Sequence, residues 1–233
     1  MENDKNQARQ RMRKIAERTL PSGDLAGFFE TVYTTANGET NEVSWADLQP
    51  HPLALEWFQQ RHLEGAGRSA LVVGCGLGDD AEELARRGFR VTAFDISPRA
   101  IAWCEQRFPH SLVTYRASDL FAAPTQWRQA FDFVLEIYTV QAIPLHLHAR
   151  SLANIATFVA PGGSLLVICR GREPQNEASP TRWPLTRAEL AGFEKAGLRE
   201  AAFEDVQSED GRHFRVVYER EKSIAPLSPP FPD

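Results

Sequence analysis

The stretch "SALVVGCGLGDDAEELARRGFRVTAFDIS", Ser69 to Ser97, decides the fold. Its "ALVV" run is continuously apolar, the pattern of a strand buried on both faces of a parallel sheet. Gly74, Gly76 and Gly78 follow at alternate positions. The next segment carries Asp79 and Asp80 in its first turn, spaces Ala81, Leu84 and Ala85 to pack inward, and closes on Arg86 and Arg87 before Gly88. Acid first and base last complements the dipole of a helix. A second apolar run, "FRVTAFD", then ends on Asp95. The order strand, glycine turn, helix, strand is a βαβ unit, which implies a parallel pair with a right-handed crossover.

The same alternation continues downstream. Ser97 caps and Pro98 opens a helix with Ile101, Cys104 and Phe108 on one stripe. "LVTYRASD" and "FDFVLEIY" read as third and fourth strands, "PLHLHARSLANIATFV" as a helix, and "SLLVICR" as a fifth strand. A loop spans Gly171 to Pro184, and Thr186 with Glu189 then forms a capping box ahead of a helix that stops at Gly197. "LREAAFEDV" and "HFRVVYER" read as a closing hairpin. Upstream, residues 1–20 predict a frayed polar helix. "SGDLAGFFETVYTTA" predicts a helix capped by Ser22 with Leu25, Phe28, Phe29 and Val32 on one face. "HPLALEWFQQRHLEG" predicts a third helix, ending near Gly65, with Leu53, Trp57 and Leu63 inward. The expected fold is α/β: a doubly wound, mostly parallel seven-stranded sheet with an N-terminal helical lid. The expected divisions are a lid over 1–50, a main domain over 51–220 and a proline-rich tail over 221–233.

Composition narrows the function. With 233 residues, 42% hydrophobic and 24% charged, the chain can build one substantial core. A net charge of −5 supplies no basic field for nucleic acid. No apolar run approaches a membrane span, and the N-terminus lacks a signal peptide's apolar core. Cys75, Cys104 and Cys169 are widely spaced, without a CxxC pair, so the expectation is a reducing, cytoplasmic setting. His146 and His148 stand two apart and point away from each other on a helix, and the other histidines stand alone, so no metal is expected.

In doubly wound sheets, ligands bind beyond the carboxyl ends of the strands. The glycines from Gly74 to Gly78, Asp95, Asp119 and Glu136 all fall at such ends. Glycines let a ligand approach the backbone closely. Asp95 reads as a clamp for two vicinal ribose hydroxyls, and Asp119 as an acceptor for an exocyclic amine such as adenine's. Asp79 and Asp80 occupy the helix start, where a dinucleotide's pyrophosphate would sit, and their charge is wrong for phosphate. A sulfonium-bearing amino acid with its ammonium group suits them better. The expected cofactor is S-adenosylmethionine, with S-adenosylhomocysteine as its product.

As an ordered set, "LVVGCGLGDDAEELARRGFRVTAFDIS", "YRASDLF", "FDFVLEIYTVQAIP" and "VAPGGSLLVI" resemble the class I S-adenosylmethionine-dependent methyltransferases over about Ala70 to Ile168. Upstream, "VSWADLQPHPLALEWF" is similar to a W-D-x-G-x-x-x-P region of the thiopurine, thiol and thiocyanate methyltransferase group, although Ala46 separates Trp45 from Asp47 and that group's glycine is replaced. The resemblance implies that Gly74, Cys75 and Gly76 pass along the methionine portion. It implies that Asp95 holds the ribose with Ile96 beside the adenine, and that Asp119 and Leu120 flank the base. It further implies that Glu136 meets the amino group and that Trp45 closes over the cofactor. Asp79 joins this set through the helix-start argument.

Glu136, Tyr138 and Gln141 are the residues expected nearest the transferred methyl group. Tyr138 and Glu136 are the catalytic candidates, with Glu136 favoured as a cofactor ligand. Phe28, Phe29, Tyr33, Trp45 and Trp183 lie in segments that can cap the crevice. Core packing is favoured for Phe28 and Phe29, and a functional place for Trp45. Arg170 and Arg172 are candidates for an anionic acceptor, with solvated surface charge the favoured explanation.

The expected activity is methyl transfer to a small molecule, a thiol or other sulfur, selenium or tellurium acceptor, by a monomer or homodimer. The alternatives are an N- or O-methyltransferase of a metabolite, a nicotinamide-dependent dehydrogenase and a non-catalytic nucleotide sensor.

Overall fold

The computed structural model describes residues 2–176, 183–208 and 211–222, with side chains from residue 6 onward. The proline-rich tail from residue 223 and the central part of the predicted 171–184 loop lie outside the described residues.

Seven strands form one sheet: β1 (Ser69–Val73), β2 (Arg90–Asp95), β3 (Thr114–Ala117), β4 (Phe131–Ile137), β5 (Val159–Arg170), β6 (Arg199–Ser208) and β7 (Gly211–Glu219). Their order is β3-β2-β1-β4-β5-β7-β6. The first five pair in parallel, and β7 runs antiparallel to both β5 and β6. The order reverses between β1 and β4, the switch point at which a doubly wound sheet leaves a crevice. β5 starts earlier than the predicted "SLLVICR". Val159 already pairs with Phe131, and a register irregularity between Phe131 and Phe133 absorbs the Pro161-Gly162-Gly163 segment.

Eight helices accompany the sheet among the described residues: α1 (Glu2–Thr19), α2 (Leu25–Ala36), α3 (Pro52–Gln60), α4 (Asp79–Arg86), α5 (Pro98–Arg107), α6 (His148–Ala156), α7 (Arg187–Leu190) and α8 (Gly192–Lys195). Alternate residues of each strand feed two separate cores. Val72, Leu135 and Ile168 meet Trp57, Leu84 and Ile101 of α3, α4 and α5 on one face. Val73, Val134 and Val167 meet Leu152, Ile155, Leu190 and Phe193 of α6, α7 and α8 on the other. The alternation follows from the two-residue period of a strand, and it explains the continuous apolar runs 70–73, 133–135 and 165–169 in β1, β4 and β5.

Local sequence explains the helix starts, with one correction. Ser97 accepts from Ala100 N–H, and Thr186 with Glu189 forms the predicted reciprocal box. The cap of α2 is Asp24, which accepts from Gly27 N–H at 2.7 Å, and not Ser22. Ser22 lies in a single 3₁₀ turn whose Gly23 reverses the chain at a φ of 78°. The segment 2–19 forms a continuous helix, and Met12 and Ala16 bury against Phe28 and Val32 of α2. That packing replaces the fraying expected of an isolated polar helix.

The lid helices are tied to the sheet. Glu30 of α2 accepts from Ser97 Oγ at 2.6 Å and from Arg99 N–H at 3.1 Å, which places its carboxylate at the positive N-terminus of α5. No described helix is long and apolar enough to cross a membrane.

Candidate functional site

A cavity of about 360 Å³ opens over the carboxyl ends of β1 to β5 and is roofed by residues of α1, α2 and the loop after α2. Its wall carries Trp45, Gly74, Cys75, Gly76, Asp79, Asp95, Ile96, Asp119, Leu120 and Tyr138. Those predicted residues, scattered over nearly a hundred positions, come together there. Glu136 does not line the cavity.

The glycine turn is sterically dictated. Gly74 has a φ of 60°, and a Cβ there would sit 2.4 Å from Thr139 Oγ1. Thr139 cannot yield easily, because that hydroxyl donates to Val73 O at 2.8 Å. At Gly78, which precedes α4 with a φ of 90°, a Cβ would meet Tyr115 Oη at 2.5 Å. Both positions require glycine for backbone conformation and for space.

Asp95 closes this turn from the next strand. Its Oδ2 accepts from Gly76 N–H and its Oδ1 from Ser97 N–H, each at 3.0 Å. Burial pushes the carboxyl up to about 6 against those two hydrogen bonds. A carboxylate accepts more hydrogen bonds than these, so acceptor capacity remains for a hydroxyl ligand. Asp119 spends Oδ1 on Phe121 N–H at 2.8 Å, as a cap for a 3₁₀ turn, and is exposed at the cavity rim.

The helix-start carboxylates are less free than their sequence suggests. Arg107 of α5 grips Asp79 with two hydrogen bonds of 2.8 Å, so the Asp79 charge is already balanced. Asp80 Oδ1 accepts from the backbone N–H of His51 at 2.8 Å. Burial pushes Asp80 up to about 7. Of the two, Asp80 is the one whose charge a cationic ligand would draw out. The Cys75 thiol is pushed well up, first by contact with the Cys104 thiol and then by burial, so it stays protonated.

Glu136 requires a correction. It is fully buried, and its Oε1 accepts from Thr139 N–H at 2.7 Å and Val140 N–H at 3.0 Å. Burial pushes it up to about 7. Its Oε1 holds the bend after β4, and the side chain does not line the cavity. The strand-end position was readable, but the sequence did not show on which side of the turn the carboxylate falls.

Tyr138, the next candidate, stands on that bend with a φ of 61° and lines the cavity. Its hydroxyl lies 3.0 Å from His51 Nε2, and its ring stacks on His213 at 5.9 Å. Arg170 also lines the cavity, with its guanidinium 5.7 Å from the Tyr138 ring. Sequence reasoning assigns His51 no role at the site, and it offers Arg170 as a candidate for an anionic acceptor with solvated charge favoured. No local signal ties residues 51, 138, 170 and 213 together, because only strand order makes them neighbours. Gln141 is buried and accepts from Arg170 N–H at 2.6 Å, so it braces the wall. Arg172 is absent from the wall and bonds Pro184 O and Glu189 instead.

The roof is aromatic. Trp45 Nε1 donates to Tyr33 Oη at 3.0 Å, and Trp45 packs edge-on to Phe29 and Tyr33. Phe28 and Phe29 also reach the cavity, so these rings combine core packing with a place in the wall. Trp183 N–H donates to Gln141 O at 2.9 Å, and its residue lines the far side.

Comparison with known proteins adds three findings. Residues 70–163 match the family described as a methyltransferase domain. The ubiquinone biosynthesis O-methyltransferase of Azotobacter vinelandii is 32% identical over 127 residues, covering 54% of this chain and 53% of that protein. The namesake from Albidiferax ferrireducens is 31% identical over 134 residues, covering 55% and 51%. The chain therefore spans about half the length of the curated relatives it matches.

Among solved structures, the Burkholderia thailandensis 1,6-didemethyltoxoflavin-N1-methyltransferase, bound to 1,6-didemethyltoxoflavin and S-adenosylhomocysteine, is similar at a TM-score of 0.66 and 16% identity. That match covers 88% of this chain and 91% of the other. The N-methyltransferase NodS of Bradyrhizobium japonicum, in complex with S-adenosylhomocysteine, gives 0.62 at 20% identity, over 82% and 98%. The [4+2]-cyclase SpnF gives 0.65 at 18% identity, over 73% and 80%. The fold is thus the Rossmann-like fold of S-adenosylmethionine-dependent methyltransferases. These matches do not support the thiopurine, thiol and thiocyanate resemblance. The cyclase shows that the fold by itself does not fix the chemistry.

Proposed function

We propose that this chain is an S-adenosylmethionine-dependent methyltransferase acting on a small molecule. The observation that carries this reading is the pairing of Gly76 N–H with the buried Asp95 carboxylate at the floor of a cavity whose glycine turn leaves no room for a β-carbon at Gly74 or Gly78. Those residues fit an adenosyl amino acid. Asp95 would hold the ribose, Ile96, Asp119 and Leu120 would enclose the adenine, and Gly74 to Gly76 would pass along the amino acid chain. Asp80 is the carboxylate suited to the ammonium, since Arg107 already occupies Asp79. The cofactor supplies an electrophilic methyl group on a sulfonium.

The chain's own residues then position and exclude. Methyl transfer needs the acceptor atom about 3 Å from the carbon, in line with the breaking bond, so orientation accounts for most of the rate. The aromatic roof of Phe28, Phe29 and Trp45 excludes water and presents π faces suited to a sulfonium. Residues 1–50 act as the lid, and 51–220 as the methyltransferase domain.

The sulfur, selenium or tellurium acceptor rests on the "VSWADLQPHPLALEWF" resemblance alone. The wall formed by Tyr138, His51 and Arg170 is polar, and a thiolate needs little such help. That wall favours an oxygen or nitrogen acceptor. The names of the curated relatives, all O-methyltransferases among those compared above, point the same way.

Calorimetric titration with S-adenosylhomocysteine and with NAD tests the cofactor. Binding of the former with no response to the latter is expected, and the reverse would return the chain to the dehydrogenase class. Transfer of a labelled methyl group to separate pools of phenols, carboxylic acids, amines and thiols tests the acceptor. Turnover confined to the thiol pool would reinstate the sulfur reading.

A further inference from the structure

Helix α2 carries Phe28, Phe29 and Tyr33 into the roof of the cavity. It rests on α5, where Tyr33 packs edge-on to Trp103 at 5.8 Å and Ala36 shares an apolar cluster with Ala100. Beside that contact, Glu30 Oε2 accepts from Ser97 Oγ–H at 2.6 Å and from Arg99 N–H at 3.1 Å. Ser97 is fully buried. Its hydroxyl accepts from Ala100 N–H at 3.1 Å and gives its one proton to Glu30, while its own N–H donates to Asp95 Oδ1 at 3.0 Å. Asp95 Oδ2 in turn takes Gly76 N–H at 3.0 Å. An unbroken chain of hydrogen bonds thus runs from the roof helix through Ser97 to the carboxylate on the floor.

Helix stability alone does not account for Glu30. α5 already has Ser97 as its cap and a proline at its start. Glu30 is half-buried, so it gives up part of its hydration there, and what it holds is the residue that orients Asp95. A carboxylate that clamps two vicinal hydroxyls must present its plane to them, and one N–H on each oxygen sets that plane here. Of the two donors, Gly76 belongs to the glycine turn and Ser97 answers to the lid. The Glu30 charge by itself raises the Asp95 carboxyl and disfavours its ionised form, so Glu30 acts through the hydrogen bonds. Bonds linked in this way away from water strengthen one another.

We infer that Glu30 is a positioning residue for the cofactor: through Ser97 it couples closure of α2 over the cavity to the orientation of Asp95, so that the adenosyl ligand binds tightly only beneath a docked lid. This rests on the reading of Asp95 as the ribose clamp. Glu30 does not line the cavity and is not a catalytic residue. The coupling is reciprocal. A ligand held better when α2 is docked holds α2 in place by the same factor.

The test uses the full chain at about pH 8, where Asp95 is ionised. Calorimetry reads S-adenosylhomocysteine affinity, and hydrogen exchange of the α2 backbone amides, with and without that ligand, reads docking of the lid. In the wild type the ligand should slow exchange across α2 by about fivefold. Glu30→Ala should bind about fivefold more weakly, the size expected of one charge-assisted hydrogen bond felt through a neighbour, and should lose most of that protection. Glu30→Gln keeps an acceptor for Ser97 and should recover part of both. Glu30→Met takes the place of Glu30→Ala if the latter fails to fold. Because Glu30 acts through Asp95, adding Glu30→Ala to Asp95→Asn should cost no more than about twofold further. A merely structural role would lower unfolding stability and weaken the ligand equally in either background. Wild-type affinity in Glu30→Ala would overturn the coupling and leave the cofactor reading intact. So would ligand protection of α2 that is absent from the wild type or survives the substitution, or losses that add in full to Asp95→Asn. Failure of the wild type to bind at all would overturn the cofactor reading and the coupling with it.

Discussion

The two ends of the cavity are built differently. The end over β1, β2 and β3 comes from near neighbours in sequence: the glycine turn, the start of α4 and Asp95 all fall within one βαβ unit. The end over β4 and β5 is assembled from residues 51, 138, 170 and 183, which meet only when the sheet forms. The first end is fixed by backbone, through positive-φ glycines and N–H groups on a buried carboxylate. The second is fixed by side chains, through a His–Tyr hydrogen bond and ring packing. A cradle of backbone can serve one invariant ligand, whereas a wall of side chains can be refitted for different ones.

The largest effect is expected where backbone has no freedom. Gly74→Val should abolish S-adenosylhomocysteine binding, lowering affinity by more than about a hundredfold, because its Cβ collides with Thr139 in a left-handed conformation. Calorimetry with a circular-dichroism check on folding reads both. Retained affinity would break the division between a backbone-made and a side-chain-made end.

Asp80 sharpens the comparison through pH. Its carboxyl is pushed up to about 7, and a ligand ammonium favours the ionised form. The affinity for S-adenosylhomocysteine should therefore rise as pH climbs, by up to about tenfold between about pH 6 and 8. Asp80→Asn should bind more weakly and show a flatter profile. A pH dependence unchanged by the substitution would remove Asp80 from the ammonium site.

Glu136, which holds the bend after β4, is expected to act on stability more than on ligand binding. Its folded-state carboxyl is raised from 4.5 to about 7 by burial. A raised carboxyl keeps its proton in the folded state while the unfolded chain loses it. Stability is thus fully present below about pH 4.5 and declines as pH rises toward about 7, by about 3 kcal/mol at most. Glu136→Gln retains an acceptor for Thr139 and Val140 and should flatten this share of the decline. It should leave S-adenosylhomocysteine affinity within about twofold. Denaturant melts from pH 5 to 8 provide the check. A large loss of affinity would restore Glu136 as a ligand.

The smallest effect belongs to the roof. Trp45→Phe keeps an aromatic ring but deletes the bond to Tyr33, at a cost of about 1 kcal/mol in thermal or denaturant unfolding.

How much was legible follows the same division. Apolar runs ending in glycine or aspartate announced β1, β2 and the turn between them, because a parallel strand buried on both faces has no polar alternation to obscure it. The alternation with helices placed the crevice, and the strand ends placed Asp95 and Asp119. Ser22 misled as a cap because Asp24, two residues on, competes for the same N–H groups. Glu136 misled because position along a strand does not tell whether an end residue faces the crevice or caps the following turn. His51 was illegible: its partners Asp80, Leu53 and Tyr138 sit at sequence distances that only the strand order explains. Asp79 looked like free negative charge, and only the packing of α5 against α4 supplies Arg107 to balance it.

The claim on which the account depends is that Asp95 and the glycine turn seat the ribose of an adenosyl ligand. Calorimetric titration of S-adenosylhomocysteine into wild type and Asp95→Asn measures it most directly. The account predicts saturable binding to the wild type and a loss of at least about tenfold in the variant, with folding intact by circular dichroism. Equal affinity in the two proteins would contradict it.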